Sequence, residues 1–185
     1  SKVPAQYSLL GSGNIEMGIK YALKEKRVMQ SLMFKLSLPT AIENVNSGLN
    51  TGYDAFGMYG AYLIGKGWNT SYFSGEIGVN CRDNGFTNDL IVLIEFGKKW
   101  SVLKQDLWLV LVMNILQPFN KGDYDNGYRY YTGLYASNTR YISTGLKLNY
   151  NIYKNFWLNV SSFGALNTHL GGKAPILNIS VAYNW

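Results

Sequence analysis

Residues 176–185 read I-L-N-I-S-V-A-Y-N-W, and their alternation decides how the rest of the chain is read. Successive side chains of an extended strand point to opposite faces. Leu177, Ile179, Val181, Tyr183 and Trp185 therefore share one face, and Asn178, Ser180, Ala182 and Asn184 the other. One face is apolar, the other small and polar. The same period of two recurs upstream. Residues 13–23 set Ile15, Met17, Ile19, Tyr21 and Leu23 against Asn14, Glu16, Gly18 and Lys20, and residues 29–38 set Leu32, Phe34, Leu36 and Leu38 against Lys35 and Ser37. Residues 71–82 oppose Phe73, Ile77, Val79 and Cys81 to Ser74, Glu76, Gly78, Asn80 and Arg82. Residues 140–150 oppose Ile142, Thr144, Leu146, Leu148 and Tyr150 to Ser143, Gly145, Lys147 and Asn149, and residues 156–164 oppose Phe156, Leu158 and Val160 to Asn159 and Ser161. Residues 55–65 are less sharply phased, with Phe56, Met58, Tyr62 and Ile64 on the apolar side. In the middle of the chain, residues 89–97 place Leu90, Val92, Ile94 and Phe96 against Asp89, Ile91, Leu93, Glu95 and Gly97, and residues 106–116 are apolar on both faces.

Turn chemistry separates the runs. Pro39 ends one ladder because it has no N–H to donate, and Asp83-Asn84-Gly85 is a turn signal. The connections alternate between short ones (24–27, 65–70, 98–105, 151–155) and longer ones (39–54, 117–139, 165–175), with 83–88 as the exception. About nine strands of roughly 9 to 11 residues, joined in this way, predict an all-β, antiparallel up-and-down transmembrane β-barrel forming a single domain over residues 1–185. Composition agrees: only 15% of residues are charged, against about 25% in ordinary soluble domains. The longest apolar runs, 90–94 and 107–113, fall far short of the roughly 20 residues a membrane helix needs. A soluble β-sandwich, which also strings short alternating strands between turns, is the rival architecture.

Other classes fit less well. The net charge of +6 is spread along the chain without a recognisable nucleic-acid module, so no nucleic-acid partner is expected. Cys81 is alone, which excludes a disulfide framework or a multi-cysteine metal site within the chain. Neither a cofactor nor a metal is expected.

Two stretches carry a family resemblance. Residues 11–21, G-S-G-N-I-E-M-G-I-K-Y, resemble the strand G-x-G-D-[IV]-x-x-G-[LI]-K-Y of outer-membrane barrels of the phenol meta-pathway transporter type, with Asn14 where that pattern has Asp. Residues 36–40, L-S-L-P-T, resemble the same family's L-x-L-P-T, with Ala41 where a Gly follows. The closing strand, ending on Trp185, resembles the last strand of bacterial outer-membrane barrels, whose terminal aromatic is read by the assembly machinery. The resemblance implies a bacterial outer-membrane location, with outer-membrane lipid, lipopolysaccharide and the barrel-assembly machinery as partners and Trp185 as the assembly signal. Single-chain barrels of this kind have an even number of strands. An odd count predicts that the first strands are missing and that the intact barrel has about 10 to 14.

Glu16, Lys20, Lys35, Glu76, Arg82, Glu95 and Lys147 fall on the face opposite the apolar one. A charge facing lipid at the bilayer midplane costs about 2 to 4 kcal/mol, so these residues are expected to point inward. They are candidates for lining a solute path, or for an ion-pair network that plugs a narrow barrel. The expected function is passage or binding of a small solute without a chemical step. The alternatives are a structural or partner-binding barrel in an envelope complex, and a lipid-modifying enzyme. The last needs His169, the sole histidine, paired with Ser161 or Ser162. Residues 122–127, G-D-Y-D-N-G, have the oxygen-rich spacing of part of a calcium loop but lack its downstream glutamate, which favours a solvated turn. Tyr21, Tyr150, Tyr183, Trp68, Trp100 and Trp185 sit at strand ends, where amphipathic rings suit a membrane interface. The tyrosines of residues 117–138 offer contacts to a sugar or aromatic ligand.

Overall fold

A computed structural model of the chain describes residues 9–24, 27–44, 49–123, 125, 135–170 and 175–183. Its elements are β1 (Ile15–Lys24), β2 (Met29–Leu38), β3 (Glu43–Asn44), β4 (Leu49–Asn50), β5 (Gly57–Trp68), β6 (Ser71–Arg82), β7 (Asp89–Val102), β8 (Gln105–Pro118), β9 (Arg140–Tyr153), β10 (Phe156–His169) and β11 (Ile176–Tyr183). Nine of them form one antiparallel sheet in the order β1-β2-β5-β6-β7-β8-β9-β10-β11, and β3 pairs with β4 in a small hairpin inserted after β2. The described residues contain no helix. Every connection in the large sheet joins spatial neighbours, the up-and-down pattern that period-two runs separated by turns imply. Among the described residues the sheet is open: β1 and β11 each keep one unpaired edge. Both edge strands run in the same direction, because an even number of reversals separates them.

Cross-strand partners share a face, so register sorts every side chain. Gly18, Lys35, Tyr59, Asn80 and Asp89 form one row across β1, β2, β5, β6 and β7. On the opposite face Tyr21, Leu32, Tyr62, Ile77, Val92, Ile115 and Ile142 form another. The polar face is the crowded one. Tyr59 there is 7% exposed and Val110 fully buried, whereas Ile77 and Leu111 on the apolar face are each 52% exposed. The apolar side is thus uncovered.

Residues 106–116, apolar on both faces in sequence, follow the same rule. Val110 and Val112 of β8 lie on the crowded face and fill it beneath longer neighbours, while Leu111 and Met113 look outward.

Strands run further than the sequence predicts. The connections expected over 65–70, 98–105 and 151–155 shrink to two-residue turns at 69–70, 103–104 and 154–155. Leu103 and Lys104 have φ of 51° and 66°, the left-handed pair of a type I′ turn, whose twist matches that of the flanking strands. Neither residue type advertises that conformation, so hairpin register imposes it. The loop expected over 39–54 contains the β3–β4 hairpin, closed by the Thr51 amide donating to the Ile42 carbonyl at 3.1 Å.

Candidate functional site

The seven charged residues singled out in the sequence all lie on the crowded face. The structure gathers five of them into three clusters, each with one acid, one base and one tyrosine. In the first, the Tyr59 hydroxyl donates to Glu76 at 2.5 Å, and the Lys35 ammonium stands 4.9 Å from the centre of the Tyr59 ring. In the second, Lys147 donates to Glu95 at 2.5 Å, and the Tyr72 hydroxyl approaches the same carboxylate at 3.4 Å. This pair reaches across β8, with Val110 and Val112 between its members. In the third, Arg82 pairs with Asp89 and lies 4.2 Å over the ring of Tyr53. Opposite charges a few ångströms apart and shielded from water neutralise one another, and a ring face adds cation–π attraction. Among the described residues Glu16 and Lys20 make no ion pair, although Glu16 borders the cavity described below.

Glycines make these contacts possible. Tyr59 lies flat over Gly78 and Tyr72 over Gly97, so that a Cβ at either position would collide with the ring. Each glycine sits two residues beyond the glutamate that the tyrosine reaches, Gly78 after Glu76 and Gly97 after Glu95. The same tyrosine–glycine–glutamate device therefore occurs on β5–β6 and on β6–β7, a ring covering a gap in the sheet face.

At the end with the longer connections, loop residues pack over this face. Ala55, Phe86, Thr87, Ala136 and Ser137 are the most buried residues there. The Thr87 amide donates to the Ser137 hydroxyl at 3.2 Å, the Gly122 amide to the Asn138 side chain at 3.2 Å, and the Asn84 amide group to the Asp54 carbonyl at 2.8 Å. Tyr53 stacks edge-on against Phe86 and Tyr135. Arg82 also donates to the Thr87 carbonyl at 3.3 Å, so a strand residue ties the loop cap to the sheet.

Beneath the cap lies a cavity of about 240 Å³ bordered by Asn14, Glu16, Lys35, Tyr59, Glu76 and Arg82, with Tyr53 at its cap end. Two buried polar atoms of its wall, Arg82 Nε and Asn14 Oδ1, have no protein partner. One is a donor and the other an acceptor, which suits a small polar guest or ordered water. Asn14 uses its amide hydrogens toward the Tyr53 carbonyl at 2.9 Å and the Ser37 hydroxyl at 3.3 Å. An aspartate, the residue of the resembled pattern, has no hydrogen to donate there. Thr40 joins the two resembling stretches: its hydroxyl accepts from the Ile15 amide and donates to the Gly13 carbonyl, both at 2.9 Å.

Sequence reading missed Asp89, Tyr53, Tyr59 and Tyr72 as members of these clusters. Asp89, Tyr59 and Tyr72 share the face of the seven charges, and that shared period was the available signal. Trp185 lies outside the described residues, as do Tyr124, Tyr128, Tyr130 and Tyr131 and, of residues 122–127, also Asn126 and Gly127. No group of three or more metal-ligating side chains occurs among the described residues. Ser161, Ser162 and His169 occupy one extended strand, which keeps even the nearer serine about 23 Å from the imidazole along β10. The required serine–histidine pair is not formed. No protein family, curated protein or solved structure matches the chain.

Proposed function

We propose that this chain forms a bacterial outer-membrane β-barrel that binds or passes a small solute on its polar inner face, without a chemical step. One observation carries the reading: the uncovered apolar face holds no charged residue except near its two ends. Lys66 and Lys98 lie toward the two-residue turns and Arg140 at the opposite rim. On β8 this apolar stretch runs from Leu107 to Ile115, which at about 3.4 Å per residue and a tilt of about 40° spans roughly 21 Å. That height is close to the apolar band of about 25 Å on such barrels. Closure joins the free edges of β1 and β11. Because these run in the same direction, an antiparallel closure takes an odd number of added strands between them.

The resemblance of residues 11–21 and 36–40 to the phenol meta-pathway transporter type supports the same location, with lipopolysaccharide outside and the barrel-assembly machinery as a partner. The capped cavity, with its unpartnered Arg82 Nε and Asn14 Oδ1, supports solute binding. A second reading, a closed barrel that anchors an envelope protein partner, is favoured by the mutual pairing of the interior charges. Planar-bilayer conductance separates the two. The first predicts single-channel steps whose ion selectivity shifts toward anions in Glu76→Gln and toward cations in Lys147→Gln. A purified, folded protein that conducts nothing in either variant supports the closed barrel.

A further inference from the structure

The chain's +6 charge is not distributed evenly over the sheet. Among the described residues, the two-residue-turn end, together with Arg27 on the same side, comprises residues 27, 66–70, 98–106 and 154–155, and holds six Lys and Arg against one Asp. That balance of five positive charges compares with a net charge of +6 for the whole chain. The three interior clusters, each with one acid and one base, contribute nothing to it. Five of these cations, Arg27, Lys66, Lys98, Lys104 and Lys154, make no ion pair among the described residues, and only Lys99 is matched, by Asp106 at 2.7 Å.

Their placement is specific. Lys66 and Lys98 stand on the apolar face at this end, and Trp68 and Trp100 follow two residues on, on the same face. The Lys66 ammonium lies 5.1 Å from the Trp68 ring, and Lys154 the same distance from Tyr153. Long side chains with apolar stems and charged tips, set beside aromatic rings where an apolar band ends, hold their ammonium groups at headgroup depth.

Resting on the membrane reading above, we infer that this rim is a binding surface for anionic glycerophospholipid headgroups, whose phosphates meet Lys66 and Lys98. Short turns face the periplasm in such barrels, so the rim meets the inner, phospholipid leaflet. The cationic ring concentrates acidic phospholipids around the barrel and fixes its depth.

The test uses the full chain folded into phosphatidylcholine vesicles, with heat-dependent gel mobility as the check of folding. Tryptophan quenching by brominated phosphatidylglycerol is then compared with quenching by brominated phosphatidylcholine. The expected result is a preference for phosphatidylglycerol of about fivefold. It falls at least by half in Lys66→Gln/Lys98→Gln and in 1 M salt, and is unchanged in Arg140→Gln at the other rim. Equal quenching by the two lipids, or a preference that the double substitution leaves intact, overturns the inference while the barrel stands. A stronger preference for lipopolysaccharide than for phosphatidylglycerol also overturns it. A protein that never folds into vesicles of any composition overturns the membrane reading and this inference together.

Discussion

Arg82 is the residue on which the loop end depends most. It bonds to buried Asp89 and to the Thr87 carbonyl and lies over Tyr53, so it holds a carboxylate, a loop and a ring at once. Removing one partner of a buried ion pair strands the other charge, at a cost of about 3 to 5 kcal/mol, whereas replacing both with apolar groups is often neutral. Arg82→Met is therefore expected to lower unfolding free energy in detergent by about 3 kcal/mol, and Arg82→Met/Asp89→Leu to recover most of it. Denaturant titration of both variants measures this. Equal losses in the two would show that the cation–π contact and the Thr87 bond matter more than the ion pair.

The consequence of a substitution in a strand depends on which face it meets. On β5, a Cβ at Gly60 meets nothing within 4 Å, whereas on β6 a Cβ at Gly78 meets the Tyr59 ring. Gly60→Ala is expected to be neutral or slightly stabilising, since glycine in a strand costs roughly 0.5 to 1 kcal/mol relative to alanine. Gly78→Ala is expected to destabilise by about 1 to 3 kcal/mol, because the ring must leave its position and with it the Glu76 bond. Thermal unfolding of the pair reads the contrast. Charge gives a second contrast on β6. Ile77→Lys puts an ammonium on the uncovered face and is expected to lose about 2 to 4 kcal/mol in lipid vesicles. Ser74→Lys, opposite Glu95, is expected to lose less than about 1.

For the molecule as a whole, the open apolar face implies a requirement for amphiphile. The purified chain is expected to stay in solution only with detergent and to migrate differently on gels before and after boiling. A monomer stable in buffer alone would favour a soluble sheet. The strand pattern, and the face of each residue where polar and apolar side chains alternate strictly, were legible in the sequence, because side-chain alternation is a local property of extended backbone. Ile142 to Tyr150 alternate in sequence as they do in register. Strand ends were less legible: Leu103 and Lys104 turn the chain through left-handed conformations that neither residue favours alone, since the pairing of β7 with β8 decides where the hairpin closes.

Sequence by itself determined that Glu16, Lys20, Lys35, Glu76, Arg82, Glu95 and Lys147 point one way and, in the strictly alternating strands, the large apolar residues the other. The tertiary structure decided which of those charges meet. Lys147 and Glu95 are separated by 52 residues and an intervening strand, and Tyr59 reaches Glu76 only because Gly78 leaves room beneath its ring. Period two assigns a face, but contacts between strands depend on register, stagger and the size of the neighbour in between, and these exist only once the sheet has formed.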